Sequence, residues 1–302
     1  MRLFRSLAAI LFLGLAPLVL AASASAQQTA APSHPRVIGF MTDFDVKDDA
    51  IGICKAVMFS IAPEARVIDI THQSTPYDIA EGARFLAGSA PYFPSDAVFA
   101  IVIDPTVGSK RKAIIALSAR GQYFVLPDNG LITLLKDKIV SAREITNPAW
   151  MIGDKLSSTF HGRDIFSPAA AHLARGDDWT TAGPSLDVAK LVRLGIPAPT
   201  LDASGLSAEV LGLDGPFGNV ITNIPAETFA QLGYKLGDTV PITLGDQDDS
   251  FPFVRTFSDV PVGKPLFYID SRNRLALSIN QGDFSRQYKI APGTKLFIPR
   301  KP

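Results

Sequence analysis

Two short runs hold the residue types that a reaction on a polar small molecule needs. Between positions 158 and 166 the chain reads Ser158, Thr159, Phe160, His161, Gly162, Arg163, Asp164, Ile165, Phe166, so an imidazole, a guanidinium and a carboxylate crowd one turn. Upstream, Asp104-Pro105-Thr106-Val107-Gly108-Ser109-Lys110-Arg111 follows the apolar run 98–103. A carboxylate at the end of a buried strand, then a Pro/Gly turn and a base, is how α/β proteins present reactive groups at a sheet edge. Together Asp104, Arg111 and His161 suit proton transfer with stabilisation of developing negative charge. Each has a plainer reading alone. Asp104 and Arg111 could be a salt bridge tying down a loop, His161 a satisfied interior histidine, and Arg163 and Asp164 braces of the next helix.

Three further groups are suited to binding. Thr42-Asp43-Phe44-Asp45-Val46-Lys47-Asp48-Asp49 sets four acids at a strand-to-helix junction. Asp48 and Asp49 read as helix-start residues favoured by the helix dipole. Asp43 reads as a ribose ligand, since a carboxylate accepts from two vicinal hydroxyls. A calcium site like that of nucleoside hydrolases fits less well, because their acid pairs stand one residue further apart. In Asp214-Gly215-Pro216-Phe217-Gly218-Asn219, an aromatic on a turn with a nearby amide can stack on a flat base and read its edge. Its plainer reading is an ordinary β-turn. Ile269-Asp270-Ser271-Arg272-Asn273 is either a solvated hairpin tip or a carboxylate-binding turn built on Arg272.

The elements that would position these groups alternate through the first half. Apolar runs at 36–41, 66–70, 97–103, 113–117 and 123–126 predict strands. Helical spacing marks 49–61, 77–90, 129–136 and 164–175, the last with Pro168 near its first turn and Gly176 beyond its end. Such alternation predicts an α/β fold with a mostly parallel sheet over residues 36–193. Gly195, Pro197, Pro199 and Gly205 punctuate a linker at 194–205. Short β-like runs follow at 207–213, 219–224, 239–244, 253–257, 266–269, 275–279 and 295–298. They predict a C-terminal antiparallel β-barrel domain over 206–302.

The chain opens with Met1, Arg2 and Arg5, runs apolar to Leu20 and closes on Ala24-Ser25-Ala26. That is the pattern of a secretory signal peptide over 1–26, with export to the periplasm or medium. Pro17 and the short apolar run argue against a membrane anchor. The charges balance, 29 cations against 29 acids, and cleavage removes two arginines. No basic excess points to nucleic acid. The lone Cys54 cannot form an internal disulfide, and without a basic neighbour it reads as a buried, inert thiol.

Taken in order, the segments resemble the SAM hydroxide adenosyltransferases, adenosine-forming hydrolases of S-adenosyl-L-methionine (SAM) that share a fold with the SAM-dependent fluorinase and chlorinase. The matching pieces are Met41-Thr42-Asp43, Ile68-Asp69-Ile70-Thr71-His72, Ala90-Pro91-Tyr92-Phe93-Pro94, Asp104 to Arg111, Pro127-Asp128-Asn129-Gly130-Leu131, Thr159 to Phe166, Phe217-Gly218-Asn219 with Thr222-Asn223-Ile224, and Asn280-Gln281-Gly282. The similarity as a whole runs from about 37 to about 298.

The resemblance implies a homotrimer whose sites lie between one subunit's N-terminal domain and the next one's C-terminal domain. It makes Asp104, Arg111 and His161 a water-handling trio. It places Asp43 on the ribose hydroxyls and Tyr77 near the sugar. Phe217 and Phe257 would sandwich adenine with Asn219 on its edge. Asp214 and Ser271 would meet the methionine ammonium and Arg272 the carboxylate.

The implied reaction is SAM plus water giving adenosine and methionine, with no metal and no cofactor. A sulfonium leaves as a neutral thioether, so the chemistry needs mainly a water held in line with C5′. The halogenases carry tyrosine at the Asp104 position and serine at the Gly162 position, so this chain sides with the hydrolases. Asp45 and Thr106 stand where the family usually has glycine, and the 214–217 spacing is closer to the halogenase branch. A SAM-dependent halogenase and an exported adenosyl-ligand binding protein are the alternatives.

Overall fold

The computed structural model describes residues 36–153 and 155–302; the expected signal peptide, 1–26, lies outside the described residues. The first half is a seven-stranded sheet. Its strands are β1 (Val37–Thr42), β2 (Arg66–Thr71), β3 (Val98–Val102), β4 (Ala113–Ser118), β5 (Tyr123–Pro127), β6 (Ile139–Glu144) and β7 (Ser185–Leu186). The order is β2-β1-β3-β5-β4-β6-β7. Pairing is parallel for β1 with β2, β1 with β3 and β3 with β5, and antiparallel for the rest, so the sheet is mixed. The parallel pairing inferred from the sequence is confined to β2, β1, β3 and β5, and Asp43 and Asp104 follow two of these strands. β3 is an interior strand of this sheet with all five residues buried, as a strand covered on both faces should be.

Three helices cover this sheet: α1 (Ala50–Ile61), α2 (Ile79–Ser89) and α3 (Ser167–Arg175). α1 starts where the Asp48 carboxylate accepts from the Ala50 N–H at 3.0 Å. α2 starts where Asp78 accepts from the Glu81 N–H at 2.9 Å, and both contacts satisfy helix donors that lack a partner in the first turn. α2 packs tightly: a Cβ on Gly82 would sit 2.4 Å from Ile103 Cδ1. α3 ends on Gly176 in the left-handed conformation, φ 99°, as a glycine C-cap should. The expected helix over 164–175 is in part a different element. Gly162–Phe166 forms a wide π turn that feeds α3. The expected helix over 129–136 is a short 3-10 turn, Thr133–Lys138, delayed by Gly130 at φ 109°.

The second half is an eight-stranded antiparallel sheet in the order β12-β11-β15-β9-β10-β14-β13, with β8 beside β9. Its strands are β8 (Thr200–Leu201), β9 (Gly205–Asp214), β10 (Asn219–Pro225), β11 (Thr239–Leu244), β12 (Gln247–Pro252), β13 (Pro265–Ile269), β14 (Arg274–Ile279) and β15 (Lys295–Pro299). Two short helices, α4 (Ala226–Ala230) and α5 (Phe284–Tyr288), lie between them. A bridge from Phe253 to Phe267 brings the two outer strands together, so the sheet nearly closes into a barrel. β8 falls inside the stretch read as a linker. The strand expected at 253–257 is displaced: β12 ends at Pro252, and Phe257–Asp259 is a 3-10 turn. Phe251, Phe267 and Phe284 fill the interior.

Among the described residues no helix is long and apolar enough to cross a membrane.

Candidate active site

β1 and β3 run parallel with Thr42 paired to Val102, so Asp43 and Asp104 leave the sheet at the same carboxyl edge. Ligands bind at this edge in open α/β sheets. The loop 157–161 meets them there. A Cβ on Gly108 would sit 2.6 Å from the Ser158 carbonyl, and one on Gly162 would sit 2.9 Å from Phe44 Cζ. Phe44 also packs edge-on against Phe160, 5.9 Å between centroids. Three loops distant in sequence are thereby stacked against one another.

They bring Asp104, Arg111 and His161 into direct contact. Arg111 donates to Asp104 Oδ2 from Nε at 2.9 Å and from Nη2 at 2.5 Å. The same Nη2 lies 2.7 Å from His161 Nδ1. The side chains of Asp104 and Arg111 are almost fully buried, and the guanidinium also rests on the Phe166 ring at 5.2 Å. A guanidinium cannot accept a hydrogen bond, so Nδ1 must accept and the ring proton belongs on Nε2. Burial lowers the His161 pKa, and the Arg111 charge lowers it further. The ring is therefore neutral at pH 7 and presents an N–H from Nε2.

The acid at 164 is not part of this group. Asp164, fully buried, accepts from Arg163 Nε at 2.5 Å and from the Ser157 N–H at 2.6 Å. Burial works to raise its pKa, but the Arg163 and Ser157 contacts outweigh it and hold the carboxyl below its ordinary value. Arg163 and Asp164 thus pin the loop that carries His161. Thr106 touches the trio: its Oγ1 lies 3.4 Å from Asp104 Oδ1. Asp45 has φ 62°, a left-handed conformation that glycine adopts freely and aspartate tolerates. That position therefore takes either residue without reshaping the loop.

Asp43 and Tyr77 also meet: the Tyr77 N–H donates to Asp43 Oδ2 at 2.9 Å. Tyr77 has φ 68° and is 72 % exposed. A bulky residue held left-handed with its ring in solvent is an uncommon conformation, of the kind that clusters at ligand sites. Sequence reading overlooked the support beneath this loop. His72 Nδ1 is 3.0 Å from Thr42 Oγ1, and His72 Nε2 is 3.1 Å from Asp69 Oδ1. Asp69 in turn accepts from Lys55 Nζ at 2.6 Å. Burial lowers the His72 pKa despite Asp69, so this histidine serves as a neutral brace.

The remaining candidates share one cleft of about 1090 Å³ on the barrel. Asp214, Phe217, Asn219, Phe257, Ser271 and Arg272 all line it. Phe217 is 67 % exposed and Phe257 40 %, with Phe257 tilted against Tyr268 at 5.0 Å. Asn219 Oδ1 accepts from Ser278 Oγ at 2.5 Å, which fixes the amide and leaves its NH₂ to donate to a base edge. Gly218, φ 68°, is required in this turn: a Cβ there would meet Asp283 Oδ1 at 1.9 Å. None of Asp43, Tyr77, Asp104, Arg111 or His161 lines this cleft. The candidate residues of one chain therefore fall into two separate groups.

Cys54 is buried, and burial pushes its thiol up to about 11, so it is protonated and inert at neutral pH. Among the described residues no group of three or more His, Cys, Asp or Glu could hold a metal ion.

Residues 38–183 match the family described as the SAM hydroxide adenosyltransferase N-terminal domain, and residues 208–297 match its C-terminal domain. A protein named (R)-S-adenosyl-L-methionine hydrolase from Salinispora arenicola is 39 % identical over 264 residues, 86 % of this chain and 97 % of that protein. A protein named fluorinase from an Actinoplanes species is 30 % identical over 291 residues, 87 % of this chain and 97 % of that protein. Among solved structures, a conserved protein of Thermotoga maritima superposes with a TM-score of 0.82 at 36 % identity, covering 86 % of this chain and 99 % of that one.

Proposed function

Because this chain belongs to the SAM hydroxide adenosyltransferase family, we propose that it hydrolyses S-adenosyl-L-methionine to adenosine and L-methionine by attack of water on C5′. The observation that carries this reading is the contact of Asp104, Arg111 and His161 within 2.5–2.9 Å. The hydrolase relative is the more similar one, 39 % against 30 % for the fluorinase. Gly162 supports the same choice. Its hydrogen lies against Phe44, so the serine that halogenases use here could enter only if that ring moved.

The geometry divides the labour. Arg111 occupies Asp104 Oδ2 and His161 Nδ1, which leaves Asp104 Oδ1 as the acceptor for the water's proton. The His161 Nε2–H is a donor to that water's oxygen, so His161 orients rather than deprotonates. Arg111 stabilises hydroxide-like charge as it develops, in a site with little competing solvent. A carboxylate is a weak base, and a weak base suffices when a neutral thioether leaves a sulfonium centre. The water gives one proton to Asp104 and its oxygen to C5′, while the C5′–S bond pair leaves with methionine. No metal or cofactor enters this scheme.

The exposed aromatics of the second half-site support the rest of the proposal. The chain forms a homotrimer in which the trio, Asp43 and Tyr77 of one subunit face the cleft of the next. Phe217 and Phe257 grip adenine there, Asn219 reads its edge, and Asp214, Ser271 and Arg272 hold the amino-acid end. In this reading 194–205 links the two domains, and the 1–26 segment exports the enzyme.

The test is to incubate purified protein with each sulfur epimer of SAM and identify products by mass. The hydrolase relative's name specifies R, so adenosine and methionine are expected from that epimer. A 5′-halo-adenosine formed in chloride or fluoride would favour the halogenase, and tight binding without turnover the binding protein.

A pH profile checks the His161 assignment. Its pKa lies below 6.5, so the neutral ring persists into mild acid. As pH falls, kcat/KM should decline only on a limb centred below the ordinary imidazole value. An acid limb centred above 6.5 would contradict a neutral His161 lodged against Arg111.

A further inference from the structure

A buried arginine that sequence reading passed over joins the two sheets. Arg84 lies on the inner face of α2 and is 3 % exposed. Its Nη1 donates to Asp214 Oδ1 at 2.8 Å and its Nη2 to the Leu213 carbonyl at 2.7 Å. The end of β9 is shaped to receive it: a Cβ on Gly212 would sit 2.9 Å from Arg84 Nε. That Nε is buried without a hydrogen-bond partner. Glu81 Oε1 lies 4.0 Å from Nη2, so the guanidinium is shared between two carboxylates and does not fully cancel the charge of Asp214.

Only the arginine of this pair is buried, while the Asp214 side chain is 36 % exposed, and screening by solvent limits what such a pair adds to fold stability. Its clearest effect is geometric. Arg84 engages one oxygen of Asp214, while Asp214 still reaches the cleft with Ser271 and Arg272. The carboxylate is thereby fixed in rotamer, with Oδ2 left for a ligand.

We propose that Arg84 is a positioning residue for the amino-acid end of the substrate: it holds Asp214 so that ligands carrying an ammonium are preferred over nucleosides without one. This rests on the SAM reading above. The consequence is a split between two ligands. SAM carries the ammonium, whereas 5′-deoxy-5′-methylthioadenosine keeps the nucleoside and lacks the amino-acid tail.

The experiment measures KM and kcat for SAM and the inhibition constant of methylthioadenosine in wild type, Arg84→Met and Arg84→Lys, with circular dichroism to confirm folding. Hydrogen bonds to charged groups are worth enough that Arg84→Met should raise KM for SAM roughly 10-fold or more. The change in kcat should be smaller, and the inhibition constant should move less than about twofold. Arg84→Lys keeps the charge but loses the fork that reaches both Asp214 and the Leu213 carbonyl, and should fall between. If Met at 84 prevents folding, the lysine variant decides by the same ratio. Equal weakening of both ligands would reduce Arg84 to a scaffold, and no weakening of SAM would also overturn the proposal. Failure of the SAM reading itself is distinguishable, since the wild type would then release no adenosine, and the inference would fall with it.

Discussion

Asp104→Asn is expected to lower kcat by roughly 10²–10⁴, the usual span for loss of a positioned general base, while SAM still binds. The amide keeps the size of the carboxylate and can still accept from Arg111 through its oxygen. It cannot take a proton from water, and it no longer balances the buried guanidinium. KM should therefore change little, because the groups proposed to grip adenine and methionine lie on the barrel. Steady-state kinetics with calorimetric titration of SAM separates the two effects. A loss of less than about tenfold in kcat would remove Asp104 from the chemistry. A parallel loss of binding would make the Asp104–Arg111 pair a structural brace.

Mixing two inactive variants should restore activity. Asp104→Asn disables the half-site on the first sheet. The double change Phe217→Ala, Phe257→Ala disables the cleft, since stacking of a base on an aromatic is worth about 1–3 kcal/mol per contact. In a cyclic trimer each site takes one half from each of two neighbours. Co-expression in equal amounts then leaves roughly a quarter of the sites with both halves intact, so roughly a quarter of wild-type turnover should return. The measurement is initial rate at SAM well below the cleft variant's KM, alongside sedimentation to establish the oligomer. A site built within one chain would give no recovery. The exposed aromatics divide in the way this proposal requires: Tyr77 lies against Asp43, and Phe217 and Phe257 line the cleft, all open to solvent in the single chain.

Much of the fold can be read from runs of apolar residues with sharp borders. β1 and β3 are such runs, closed by acids or prolines, and the strand-end position of Asp104 follows from them. β6 is hard to see because Ile139–Glu144 mixes apolar, polar and charged residues. β12 is harder still: Gln247–Pro252 is a largely exposed outer strand that begins Gln-Asp-Asp-Ser, so the apolar run after it reads as the strand instead. The π turn before α3 has no local signature beyond Gly162, whose hydrogen is dictated by Phe44.

The site divides in the same way. Residue types and strand-end positions mark Asp104, Arg111 and His161 as chemistry-bearing. Their roles depend on contacts across 50 positions, as with the Arg111 nitrogen that fixes the His161 tautomer. Arg84 gives only the weak signal of a cation on an apolar helix face. Its partner stands 130 positions away, and no local pattern encodes that distance.

The claim that water attacks C5′ is tested most directly by running the reaction in oxygen-18 water and weighing the products. Attack at C5′ places the heavy oxygen in the 5′-hydroxyl of adenosine and leaves methionine unlabelled. Unlabelled adenosine, or label found in a methionine-derived alcohol, would contradict it.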